Sequence, residues 1–355
     1  MGAKKPSAKR TQRETNASVL HNSVIRRLGP RTVAQGDIAF PCVPSMIDVY
    51  MTKLATLFEI LGQPFSTDDL AKLRSIIERT LADGFRTLPT GKLIVGFLRR
   101  PDVPGISYNV RFKQETMEDL YENWVAEGKP PPFGAFADAK VMSLAAELGD
   151  PKEVPVLDIG AGTGRNALAL SRIGHPVDAI EPTAVLVRVM NRAIEAEALP
   201  IKVIERDVLL PDVTFERGRY RLVVLAEVIS HFRGPHEVRK LFEKLKDALA
   251  PRGILLVSTF LTTEGYKPDV LAREASEIAW SYLFTRDELR FIVDELPFDR
   301  LSDESVCDYE KEHLPEGAWP PTPWFPGWAL GQNIFELPAG KVPAELRWLA
   351  FRRRD

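Results

Sequence analysis

The stretch V-P-V-L-D-I-G-A-G-T-G-R-N, residues 154–166, decides the fold of this 355-residue chain. Its apolar beginning, up to Ile159, predicts a buried parallel strand. Three glycines follow, and an apolar stripe over 167–173 predicts a helix that ends at Gly174. Glycines in a strand-to-helix turn let the backbone approach a ligand, and the helix start offers free N–H groups to an anionic group. The stretch therefore predicts a ligand site.

The glycine spacing separates this turn from the dinucleotide fingerprint, which requires glycine at its first, third and sixth positions. Counted from Gly160, the third position is Gly162 but the sixth is Arg165. The pattern Asp158-x-Gly160-x-Gly162-x-Gly164 instead resembles the first motif of the class I S-adenosylmethionine-dependent methyltransferases. A nucleotide-sugar or NAD enzyme with an unusual loop is the alternative.

The resemblance continues at the next two predicted strands. Residues 175–180 lead to Glu181, where the family keeps an acid for the ribose hydroxyls, and 201–205 lead to Asp207, where it places an acid against the adenine amino group. The resemblance thus implies S-adenosyl-L-methionine as cofactor and S-adenosyl-L-homocysteine as product. The implied cofactor site comprises Asp158, Gly160, Ala161, Gly162, Gly164, Asn166, Glu181, Pro182, Asp207, Val208 and Glu227.

Strand and helix patterns alternate through the rest of the chain, which predicts an α/β fold with a Rossmann-like, doubly wound sheet. The resemblance implies seven strands, the last of them antiparallel. The remaining predicted elements are strands at 221–225, 254–260, 300–309 and 345–352 and helices at 235–248 and 285–296. We predict a basic disordered tail at 1–36, an N-terminal α/β appendage at 37–113, a helical lid or linker at 114–150 and a core at 151–355 with a Pro/Trp-rich insertion at 313–341.

Composition points to an ordinary globular protein, with a net charge of −2 and 45% hydrophobic residues. Without an 18-residue apolar run or a secretory segment, we expect a cytoplasmic protein with no membrane span. Two cysteines and five histidines without ligand spacing argue against a metal site. The tail carries eight Lys/Arg against Glu14, yet it has no aromatic residues for stacking on bases, so we favour a solvated tail over a nucleic-acid-binding arm. A monomer and a homodimer are both open.

The acceptor side is predicted from the loops beyond the carboxyl ends of the strands, where ligands bind in open α/β sheets. His231 is the first candidate general base and Glu227 the second. The sequence lacks the Asn/Asp-Pro-Pro-Tyr/Phe motif of many nucleic-acid amino methyltransferases and a cysteine for pyrimidine carbon methylation. Aromatic residues predicted to contact the substrate are Tyr121, Trp124, Tyr266, Tyr282, Trp319, Trp324 and Trp328.

Within the class, residues 133–300 resemble the small-molecule branch of tellurite-resistance-type and thiopurine-type enzymes, and 106–352 resemble an uncharacterised bacterial methyltransferase-domain group. The resemblance implies methyl transfer to oxygen, nitrogen, sulfur or a metalloid of a small molecule. Two alternatives stay open. One is an RNA or protein methyltransferase guided by the basic tail, and the other is a non-catalytic cofactor-binding interaction module.

Overall fold

A computed structural model describes residues 13–28, 31, 33–100, 105–126 and 133–355. The chain divides into two compact units. One contains the described residues up to Arg86 together with Lys92–Lys113, and the other contains Thr87–Gly91 and the described residues from Gln114 onward.

The first unit is an antiparallel sheet in the order β1-β2-β3, packed with helices. Its apolar residues meet in a core that includes Leu54, Phe58, Leu73 and Leu93. Its elements are α1 (Ala17–Leu28), β1 (Ala34–Pro41), α2 (Ile47–Ile60), α3 (Thr67–Thr87), β2 (Lys92–Arg99) and β3 (Ile106–Lys113).

The structure shows two elements near the start of this unit. The predicted disordered tail contains α1, which buries none of its residues, and the start of β1. β1 is an edge strand, and its residues Ile38 and Phe40 face the core. Gly84 lies inside α3, where an added Cβ would be 2.6 Å from Phe112. Residues 1–12, 29–30 and 32 of the predicted tail lie outside the described residues.

The second unit confirms the doubly wound prediction. Its main sheet has the order β10-β11-β8-β7-β4-β5-β6, with β9 pairing to β8. β11 runs antiparallel to both neighbours, as expected of the last strand. The strands are β4 (Val156–Ile159), β5 (Val177–Ile180), β6 (Ile201–Ile204), β7 (Tyr220–Leu225), β8 (Leu249–Thr262), β9 (Leu283–Phe284), β10 (Phe298–Ser305) and β11 (Ala344–Arg353).

Helices cover both faces of this sheet. They are α4 (Met117–Ala126), α5 (Ala139–Glu147), α6 (Arg165–Arg172), α7 (Ala184–Glu197), α8 (Pro235–Ala248), α9 (Val270–Ile278), α10 (Arg286–Val293), α11 (Val306–His313) and α12 (Phe325–Ala329). Successive strand residues point to opposite faces, so Leu157 joins one core cluster and Val156 the other. The sixth predicted strand is shorter than expected, because Ser305 caps the start of α11 through the Asp308 N–H.

Candidate functional site

A cavity of about 460 Å³ lies beyond the carboxyl ends of β4, β5, β6 and β7. Parallel strands end at the same edge of the sheet, so the loops after them surround one space. Most of the residues predicted from the sequence line it. These are Tyr121, Trp124, Asp158, Gly160, Ala161, Gly162, Asn166, Glu181, Pro182, Asp207, Val208, Glu227, His231, Trp324 and Trp328.

The glycine turn between β4 and α6 forms the floor of the cavity. Gly160 and Gly164 have φ angles of 67° and 89°, in the left-handed region that glycine adopts without strain. A Cβ at Gly160 would lie 2.5 Å from Val228 Cγ2, and one at Gly162 would lie 3.3 Å from the Phe133 ring. Gly164 does not line the cavity, because its neighbours are Met190 and Leu168 of the packed interior.

Gly160→Ala is therefore expected to destabilise the protein by roughly 2–4 kcal/mol, because the left-handed backbone and the clash with Val228 both add to the cost. Urea unfolding would measure this. The matched control is Gly265→Ala, where φ is 85° and nothing lies within 4 Å of the added Cβ. It should cost only about 1 kcal/mol, for the backbone alone. Equal costs at both positions would contradict the close approach of Val228 to the turn.

Glu181 ties the glycine turn to the end of β5. Its Oε2 accepts a hydrogen bond from the Gly162 N–H at 2.9 Å, and its Oε1 accepts one from the Thr183 N–H at 2.9 Å. Two backbone donors therefore fix the orientation of the buried carboxylate. Asp207, after β6, accepts the Leu209 N–H at 2.8 Å and also faces the cavity. The two carboxylates are thus fixed at neighbouring strand ends.

Asp158 is a buried acid in the wall of the cavity. It is 2% exposed, and burial, with the charge of Asp138 as the next cause, raises its pKa to about 7. Its Oδ2 atom is buried and has no hydrogen-bond partner among the described residues. A buried acceptor without a donor costs stability in the folded protein, and a ligand that supplies a donor removes that cost.

Arg165, the first residue of α6, joins two acids across the cavity wall. Its Nη1 lies 2.5 Å from Asp138 Oδ1, and its Nη2 lies 3.2 Å from Glu227 Oε1. The side chains of Arg165 and Asp138 are only 9% and 4% exposed. Asp138 also exchanges two hydrogen bonds with Asn166, each of 2.9 Å. The first turn of α6 is thereby locked to the segment that begins α5.

Asp138 occupies the N-cap position of α5, yet its side chain does not cap that helix. Glu310 of α11 does so instead, accepting the N–H groups of Ala139 at 2.7 Å and Lys140 at 3.2 Å. Glu310 also accepts the indole N–H of Trp348 at 3.0 Å. Its burial raises the pKa of Glu310 to about 7. Glu310 therefore leaves the Asp138 carboxylate available for Arg165.

Glu227 and His231 lie together after β7. Glu227 has a φ of 61°, unusual for a non-glycine residue, and its N–H donates to Ser258 Oγ at 2.7 Å. Burial raises the pKa of Glu227 to about 7. His231 is exposed at the edge of the cavity, yet the protein atoms around its ring desolvate it and lower its pKa, so its imidazole is neutral at pH 7. Both groups can accept a proton at that pH, as a general base requires.

A row of aromatic rings roofs the cavity, running from Phe133 over the glycine turn through Tyr121, Trp124 and Trp324 to Trp328. The ring centroids of successive members are 5.7–6.4 Å apart. Burial raises the pKa of the Tyr121 hydroxyl. The last member packs edge-on against Phe260 of β8 at 5.0 Å. Tyr121 and Trp124 belong to α4 and Phe133 to the segment before α5, all within the predicted lid or linker, whereas Trp324 and Trp328 belong to the Pro/Trp-rich insertion.

Three predicted substrate contacts lie elsewhere. Tyr282 is buried against Phe284, Tyr266 packs edge-on against Phe335, and Trp319 packs edge-on against Phe325, none of them lining the cavity. Each of these residues was predicted from its position in a loop after a strand or in the insertion. Such a position in the sequence does not determine the direction in which the ring points. Lining residues that were not proposed as site residues are Phe133, Ile159, Arg165, Ile180, Thr183, Leu186, Arg206, Ala226, Val228, Phe232, Ala279 and Trp280.

Of these, Trp280 follows α9 with a φ of 50°, and its ring lies 6.3 Å from that of His231. No glycine or turn motif marks this position in the sequence. In the part of the chain that the structure describes, no helix is long and apolar enough to cross a membrane. No group of three or more His, Cys, Asp or Glu residues within the described ranges could hold a metal ion.

Comparisons with known proteins agree with this geometry. A family model described as a methyltransferase domain matches residues 133–303. A structure of a putative sarcosine dimethylglycine methyltransferase from Galdieria sulphuraria is similar, with a TM-score of 0.50 and 17% identity over 68% of this chain and 99% of that one. No curated protein matches the sequence.

A second similar structure is phosphoethanolamine N-methyltransferase 2 of Haemonchus contortus, in complex with phosphomonomethylethanolamine and S-adenosylhomocysteine. It has a TM-score of 0.50 and 16% identity, over 70% of this chain and 64% of that one. At these identities the likeness concerns the fold alone.

Proposed function

We propose that this chain, whose methyltransferase domain belongs to the class I S-adenosylmethionine-dependent methyltransferases, methylates a small-molecule acceptor. The chain is an enzyme, and its cofactor is S-adenosyl-L-methionine. The observation that carries the proposal is the aromatic-roofed cavity of about 460 Å³, which is in the size range of small-molecule sites. It joins the predicted cofactor residues other than Gly164 to Glu227 and His231 in one space. The tellurite-resistance-type and thiopurine-type subgroup remains a prediction.

The cavity residues fit the proposed cofactor. Asp158 Oδ2 is a buried acceptor without a partner among the described residues, as a site for an ammonium group requires. The glycine turn leaves the floor free of side chains, and a Cβ at Gly162 would press against the Phe133 ring. We propose that Asp158 and the turn hold the methionine part, that Glu181 binds the ribose, and that Asp207 and Val208 contact the adenine.

We propose that the acceptor binds on the opposite flank of the cavity, and the order of the strands supports this. β5 and β6 lie on one side of β4 and β7 lies on the other, so Glu181 and Asp207 face Glu227 and His231 across the glycine turn. The cofactor supplies a methyl group on a positively charged sulfur. We propose that Glu227 and His231 orient the acceptor and take up its proton, while the aromatic roof excludes water.

Calorimetric titration with S-adenosylmethionine and S-adenosylhomocysteine tests the cofactor site, on the full chain and on a chain without residues 1–33, which keeps β1 intact. We expect micromolar binding of both compounds and no effect of the truncation. Formation of S-adenosylhomocysteine with a metabolite panel, compared with total RNA and protein, then tests the acceptor class. Turnover with RNA or protein alone would overturn the small-molecule proposal, and absence of binding to either compound would overturn the cofactor assignment.

A further inference from the structure

We call the side of the cavity that is formed by Glu227, His231, Trp280, Trp324 and Trp328 the acceptor flank. It carries the carboxylate of Glu227. Arg165 engages Glu227 through Oε1 at 3.2 Å. Oε2 of the same carboxylate makes no hydrogen bond in the part of the chain that the structure describes, and the side chain is 19% exposed. One carboxylate oxygen is therefore open to a ligand on this flank.

The cavity as a whole is acidic. Its lining carboxylates are Asp158, Glu181, Asp207 and Glu227, and its lining guanidinium groups are Arg165 and Arg206. Both guanidinium groups are already ion-paired, Arg165 with Asp138 and Glu227, and Arg206 with Asp212. Glu227 is the lining carboxylate that the proposed function leaves to the acceptor, so an anionic acceptor would meet this acid and would have to displace an existing ion pair to find a cation.

The rest of the flank is aromatic. The Trp324 and Trp328 rings are 5.7 Å apart at an interplanar angle of 80°, so they offer a face and an edge at right angles. Trp324 is 38% exposed, and it is in contact with Trp124 at 6.3 Å. Indole faces attract cations, most strongly where water is excluded, and they also stack on flat apolar groups. The Glu227 carboxylate and the Trp324 and Trp328 rings line the same cavity, and a carboxylate oxygen and indole faces that share one space suit an ammonium group.

We propose that the methyl acceptor is an amine carried on a flat or apolar body, bound by Glu227 and the tryptophans of the acceptor flank. The inference rests on the proposed function and narrows it to one substrate class. In the reaction the nitrogen lone pair forms a bond to the methyl carbon, and the carbon–sulfur bond breaks with its electrons remaining on sulfur. The amine arrives protonated, and Glu227 or the neutral His231 takes its proton before the attack.

The test is binding of three probes that share one phenyl body to the protein saturated with S-adenosylhomocysteine. The probes are 2-phenylethylamine, 2-phenylethanol and 3-phenylpropionate, titrated at pH 7 by calorimetry. We expect the amine to bind at least about tenfold more tightly than the alcohol, since a charge-assisted hydrogen bond contributes about 1.4 kcal/mol or more. The carboxylate should bind more weakly than the alcohol.

Two variants test separately the contribution of the Glu227 charge and that of the Trp324 ring to binding of the probes. Glu227→Gln should reduce the preference for amine over alcohol to less than about threefold, while the matched control Glu264→Gln, exposed and outside the cavity lining, should leave it unchanged. Trp324→Leu should weaken amine and alcohol alike. A wild-type protein that binds S-adenosylhomocysteine but prefers the alcohol or the carboxylate would overturn the amine proposal alone. A protein that does not bind S-adenosylhomocysteine would overturn the proposed function.

Discussion

Replacing Asp158 by asparagine is expected to stabilise the ligand-free protein at pH 8 and to weaken its binding of S-adenosylmethionine. The folded protein raises the pKa of Asp158 from the ordinary 3.8 to about 7, so the folded state holds a proton that the unfolded state has released. Between these two values stability falls as the pH rises, and the loss is complete above pH 7. A pKa difference of this size between the folded and unfolded states corresponds to at most about 4 kcal/mol.

Asparagine does not titrate, so the difference in the free energy of unfolding between the variant and the wild-type protein should vary with pH. We expect a gain of roughly 1–3 kcal/mol at pH 8, because the amide still leaves one buried polar atom without a partner. At pH 5, where wild-type Asp158 is already protonated, the two proteins should be about equally stable. Urea unfolding across this pH range measures the effect. The pKa values of Glu227 and Glu310 are also raised to about 7, so the stability of the variant still depends in part on pH.

The same variant should bind S-adenosylmethionine roughly 10- to 100-fold more weakly at pH 8, because the ionised carboxylate no longer meets the cofactor's ammonium group. Wild-type affinity should itself decline below pH 7 as Asp158 takes up a proton, whereas the affinity of the variant should not follow that profile. A variant with wild-type affinity at pH 8 would show that Asp158 does not contact the cofactor.

The cofactor half of the site could be predicted from the sequence because its determinants are local. The Asp158–Gly164 pattern lies on one strand-to-turn segment, and Glu181 and Asp207 each follow an apolar run that ends at the same sheet edge. Alternating strands and helices then fix the order of the sheet. Each of these features depends on residues that are close together in the sequence, so the periodicity of the apolar residues indicates it directly.

The acceptor half depends on contacts between residues far apart in sequence, which no local pattern records. Arg165 follows the glycine motif directly, yet its importance appears only when Asp138 and Glu227, 27 and 62 residues away, are seen to share it. Trp280 lines the cavity through a left-handed backbone that a bulky residue rarely adopts. Tyr282 and Trp319 were predicted as substrate contacts, but their rings pack against Phe284 and Phe325 and do not line the cavity.

Asp138→Ala is expected to be the most destabilising single change at the site, costing about 3–5 kcal/mol of the free energy of unfolding. Removing this carboxylate deprives Arg165, 9% exposed, of its 2.5 Å partner and deprives the Asn166 amide of an acceptor. Glu227 remains as a partner, but its contact of 3.2 Å is longer than the lost one of 2.5 Å, so it compensates the buried guanidinium incompletely.

The matched control is Glu197→Ala, which breaks the ion pair of Glu197 with Arg172 in the same unit. That pair has two contacts of 2.6 Å, but its side chains are 48% and 39% exposed, so solvent screens it and its loss should cost far less than the loss of Asp138. Asp138→Asn should lie between the two, because the amide can still accept a hydrogen bond while carrying no charge. If Asp138→Ala costs no more than Glu197→Ala, the buried ion pairs do not hold the first turn of α6 to α5, and the acceptor flank has another support.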